Sequence, residues 1–78
     1  MLFTFEIRPL NIEIGYSLSC AGVIAESLHR QRLISAVAEA AALGRGLNGE
    51  IRIYDCSGEP VEVVPLPTIS GEFAGAKN

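Results

Sequence analysis

Few side chains in this 78-residue sequence are of a type that does chemistry. Cys20, Cys56 and His29 are the soft ligands and the nucleophile–base candidates, apart from Met1. A Cys56 thiolate with His29 as its base needs the two within hydrogen-bond reach and a third group that orients the imidazole. No motif supplies that third group, and only Ser57-Gly58 offers an oxyanion-type loop. There is no G-x-S-x-G elbow either. As metal ligands, these three residues are one short of a closed zinc site, and none stands at C-x-x-C or H-x-x-x-H spacing. Cys20 falls on the apolar side of an alternating stretch and reads as a small hydrophobe. Cys56 reads as an exposed turn residue.

Gly44-Arg45-Gly46-Leu47-Asn48-Gly49 has the spacing G-x-G-x-x-G. A dinucleotide site needs that loop after a strand and before a helix, so that a helix N-terminus meets the pyrophosphate. Here the helix comes first and would present carbonyl ends, which repel phosphate. The glycines therefore read as helix-exit residues. Glu6, Glu13, Glu26, Glu39, Glu50, Glu59 and Glu62 fall mostly on polar faces. Glu59 and Glu62 read as edge-strand charges, and Asp55 as a turn residue that caps its own backbone. A domain this small leaves little room for a ligand pocket of roughly 300 Å3. The expectation is no enzyme, with no catalytic, cofactor-binding or metal residue.

The elements that hold these residues follow from hydropathy period. Residues 2–9 alternate, with Phe3, Phe5 and Ile7 on one side and Thr4, Glu6 and Arg8 on the other, a half-buried strand stopped by Pro9. Residues 12–20 alternate again through Ile12, Ile14, Tyr16, Leu18 and Cys20, with Gly15 marking a bulge or bend. Ala21-Gly22 turns the chain, and residues 23–26 form either a short strand or an extended lead-in. A helix follows, N-capped by Ser27, with Leu33, Ile34, Val37, Ala38, Ala40, Ala41 and Gly44 on its apolar side. It ends between Leu43 and Asn48. Residues 50–55 alternate with Ile51 and Ile53 inward, Asp55-Cys56-Ser57-Gly58 turns, and Val61 and Val63 continue the inner face up to Pro65. Residues 1–65 thus form one α+β domain, a small antiparallel sheet of four to five strands with one helix on one face (β-β-(β)-α-β-β). Residues 66–78 read as a loose tail.

Composition narrows the function classes. A net charge of −3 argues against nucleic acid, whose binders carry a Lys/Arg excess. Arg30 and Arg32 are read as part of a solvated helix face. The longest apolar run, Leu33 to Leu43, is broken by Glu39 and falls short of the about 20 residues of a membrane span. The N-terminal residues lack a basic region and reach Glu6 too early for a secretory signal. The two distant cysteines do not form a disulfide framework. A cytoplasmic protein without membrane contact is expected.

Gly15-Tyr16-Ser17-Leu18, the alanine-rich helix, and Gly49-Glu50-Ile51-Arg52-Ile53-Tyr54-Asp55 with Gly58 together carry a resemblance. Over about residues 3–64 the chain resembles short uncharacterised bacterial α+β domains. These have an early hairpin with an aromatic after Gly, a helix with spaced alanines, and a closing G-x-I-x-V-x-D-x-x-G hairpin. It departs from them at Tyr16, where they carry Trp, and at Arg30-Gln31-Arg32-Leu33-Ile34, where they carry an acidic-Ala helix start. The resemblance implies the fold and no activity. A looser likeness to small antitoxin domains implies protein binding.

The function expected is a non-enzymatic interaction or structural module that acts as a homodimer. A short aliphatic chain without staples gains most by burying a sheet edge or face against a second copy. The edge is expected in the strand of residues 3–7 or that of residues 61–64. One alternative is a small monomeric regulator, antitoxin-like or an adaptor, that binds another protein. A third reading is thiol- or metal-dependent activity at Cys56.

Overall fold

The computed structural model describes residues 2–67. Strand β1 (Phe3–Pro9) lies at the centre of the sheet, with Phe5 and Ile7 fully buried as its alternation requires. It pairs antiparallel with β2 (Tyr16–Ser19), which pairs antiparallel with β3 (Leu28–Arg30). Helix α1 (Leu33–Leu43) then carries the chain back across the sheet to β4 (Gly49–Tyr54). Strand β5 (Pro60–Pro65) returns as a hairpin. The strand order is β3-β2-β1-β4-β5, and α1 packs on one face.

The α+β class, and the five strands and single helix among the described residues, agree with the sequence reading. The pairing of β1 with β4 is parallel, not antiparallel. The cause is the crossover: a helix between two strands reverses the chain twice, so β3 and β4 run the same way. The strand of residues 3–7 is consequently central and not an edge.

Residues 11–15 form a turn, although Ile12 and Ile14 alternate like strand residues. The Asn11 side-chain oxygen accepts from the N–H groups of Glu13 (3.0 Å) and Ile14 (2.8 Å), an Asx turn. Leu10 N–H donates to the Gly15 carbonyl at 2.6 Å and closes the loop. Ile12 is left 96% exposed.

The helix begins six residues after Ser27, which is not its cap. Leu28, His29 and Arg30 pair with Leu18, Ser17 and Tyr16 instead, and this is the third strand, in place of residues 23–26. Arg32 occupies the N-cap position with an extended backbone and no side-chain cap bond. Arg30 bonds Glu39 at 3.1 Å and ties β3 to the helix, so it is no free helix-face charge. Ala36 and Ala40 are fully buried, with Leu33, Val37 and Ala41 half-buried beside them. That is a stripe at intervals of three and four residues whose small centre lets the helix lie close to the sheet. Ile34 and Ala38, expected inward, are exposed.

Leu66 belongs to the core, one residue past the expected domain end at 65. Its N–H donates to the Gly49 carbonyl at 3.0 Å. A Cβ built on Gly44 would come within 2.6 Å of the Leu66 side chain and 2.9 Å of Phe5, so Leu66 plugs the space beneath the helix exit. Residues 68–78, most of the expected tail, lie outside the described residues.

Candidate functional site

The chemistry-bearing residues of the sequence end up on separate elements. Cys20 is buried, and burial pushes its thiol pKa up, which disfavours the reactive thiolate. Cys56 is exposed in the turn after β4. His29 sits on β3, an edge strand three strands from β4, and Cys56 borders Tyr16 and Gln31. Among the described residues no hydrogen bond joins Cys56 to the imidazole. No group of three or more His, Cys, Asp or Glu side chains is assembled there that could hold a metal.

Gly44 closes the helix, with its N–H on the Ala40 carbonyl at 2.8 Å, and Gly49 opens β4. The G-x-G-x-x-G spacing therefore stands at a helix C-terminal end, as the order of elements requires. Asp55 holds the β4–β5 turn. Its Oδ1 accepts from Ser57 Oγ (2.6 Å), Ser57 N–H (2.9 Å) and Glu59 N–H (3.0 Å). These bonds, the Ser57 hydroxyl first, hold its carboxyl below the usual value.

The sheet face away from the helix is polar and largely paired with itself. Arg8 meets Glu6 at 3.1 Å and lies 3.9 Å above the Tyr54 ring. The Tyr54 hydroxyl donates to Glu6 at 3.4 Å, and Arg52 pairs with Glu50. Sequence reasoning placed Arg52 and Tyr54 outward but could not join them to Glu6 and Arg8, which takes the β1–β4 pairing.

The least finished part of the molecule is β5. Helix α1 packs against β1, β2, β3 and β4, and none of its Cα atoms comes within 8 Å of one in β5. A groove of about 520 Å3 remains on the helix side, lined by Leu33, Ile34, Val37, Ile53 and Val64, with Arg32 and Glu62 at its rims. Ile34 is 66% exposed there. On β5 the inner residues are Glu62 and Val64, in register with Ile53 and Ile51. Val61 and Val63, expected inward, are 61% and 51% exposed. The reason is a register shift at Ile53/Tyr54, which moves the alternation by one residue. Glu62 is thus a groove residue as well as an edge-strand charge.

Both sheet edges are blunted against simple strand addition. Strand β3 has only three residues, and β5 is bracketed by Pro60 and Pro65, which lack N–H donors. A second exposed apolar patch, Leu10, Ile12 and Ile14, lies in the β1–β2 loop.

No protein-family model, curated protein sequence or solved structure matches the chain, so no residue here takes its role from a relative.

Proposed function

We propose that the chain is a non-enzymatic interaction module that works as a homodimer, with β5 at the contact. The observation behind this reading is that β5 is an edge strand the helix does not reach. Apolar side chains are uncovered on both of its faces, Val61 and Val63 on one and the groove around Val64 on the other. A small domain with no disulfide and no cluster of metal-ligating side chains among its described residues gains stability by covering such a strand. Because both edges are blunted, the strand's faces rather than its backbone edge make the contact. Molar mass by light scattering over a dilution series tests it. The wild-type chain should show a dimer that dissociates on dilution, and Ile34→Lys, in the groove beside β5, should shift the midpoint to higher concentration. A monomer at every concentration would contradict the reading.

A second reading, a monomeric regulator that captures another protein, is favoured by the 96% exposure of Ile12 in the β1–β2 loop. It predicts that Ile12→Ser leaves the chain monomeric and removes binding to the partner.

A further inference from the structure

We infer that a second copy of this chain occupies the groove between α1 and β5, related by a two-fold axis along the groove, so that Arg32 of each copy pairs with Glu62 of the other. The inference rests on the homodimer reading above and assigns its surface.

The first support is shape. The helix stands over β1 to β4 as a ridge, and no other described element covers the neighbouring strip of sheet over β5. A rotation of 180° about the groove sets the ridge of one copy over the bare strip of the other. Ile34, exposed on its own chain, then lies against the partner's floor of Ile53 and Val64. The result is two sheets with the two helices side by side between them. Each β5 gains the helix cover that its own α1 does not supply.

The second support is charge. The two walls of the groove carry opposite signs, Arg32 on the helix side and Glu62 on the strand side. Neither makes an ion pair among the described residues, whereas Glu6–Arg8, Arg30–Glu39 and Glu50–Arg52 are all paired within the chain. An isologous contact places the helix wall of one copy on the strand wall of the other, and does so twice. Opposite signs on the two walls are what that arrangement requires, since equal signs would repel twice over. A foreign apolar peptide could fill the same floor, but it would not account for the self-complementary rims.

The test is a charge swap in the full chain, with mass read by light scattering on dilution. Arg32→Glu and Glu62→Arg each break both pairs and set like charges together. Each should raise the dimer dissociation constant about tenfold or more. The double variant R32E/E62R should bring the constant back toward the wild-type value. Both residues lie at the surface, so an unchanged circular dichroism spectrum and urea midpoint in dilute solution should accompany every variant. Single variants that dimerise like wild type would overturn this surface and leave the homodimer reading standing. Weakened single variants without recovery in the double would overturn the Arg32–Glu62 pairing. A wild-type chain that is monomeric throughout would overturn both this inference and the reading it rests on.

Discussion

Gly15 and Gly58 share a left-handed backbone, at φ of +96° and +91°, but differ in their surroundings. A Cβ on Gly58 meets nothing within 4 Å. One on Gly15 overlaps the Arg30 carbonyl and comes within 2.6 Å of Gln31 Cα. Gly58→Ala should therefore cost about 1–2 kcal/mol, from the dihedral alone. Gly15→Ala should cost clearly more, because backbone between β3 and α1 has to move. Equal urea midpoints for the two variants would contradict this. Asp55 gives a pH prediction. Its folded carboxyl titrates below the ordinary value of 3.8, so its contribution is complete above that value and fades as pH falls through the lower folded one. Asp55→Asn should show a flatter loss of stability than wild type below about pH 4, read as urea midpoint against pH. Parallel acid limbs would sink the assignment. Asp55 was legible because an Asx turn is local chemistry. Gly15 was legible as a bend, but its packing against residues 30–31 is a tertiary fact that its neighbours in sequence do not encode.

At the scale of elements, period alone succeeded where burial and period agreed, as in β1 and β4. It failed at Ile12 and Ile14, whose alternation is overridden by the Asn11 side chain. It also misplaced the helix start, since the pairing of residues 28–30 with β2 outweighs helix propensity in a segment with no cap. The parallel β1–β4 pair follows from the crossover only once residues 28–30 are counted as a third strand, which the sequence reading left open. The register shift at Ile53/Tyr54 was not legible, and it turned Val61 and Val63 outward. These placements predict which side chains stabilise the fold. Leu66→Ala should cost about 2–4 kcal/mol, although it lies beyond the last strand. Val61→Ala should stay within about 0.5 kcal/mol, provided both are measured below the concentration of association. Ala40→Leu, which forces extra carbons between helix and sheet, should cost about 1–3 kcal/mol. Urea unfolding checks all three, and a tolerated Leu66→Ala would remove that residue from the core.

For the whole molecule, the sequence carried the fold class but not the surface. Ile34 was read as inward and Glu62 only as an edge charge, because nothing local says that α1 stops short of β5. That offset between helix and last strand is the main departure from a closed two-layer domain. It leaves apolar groove floor and opposite charges on its two walls, which the proposed second copy would cover. The most direct measurement is molar mass by light scattering across a dilution series, with and without reductant. A particle of twice the 8.3 kDa chain mass that dissociates on dilution, whether or not reductant is present, is the result expected. A monomer at every concentration, or a dimer lost on reduction and so held by Cys56 alone, would contradict the account.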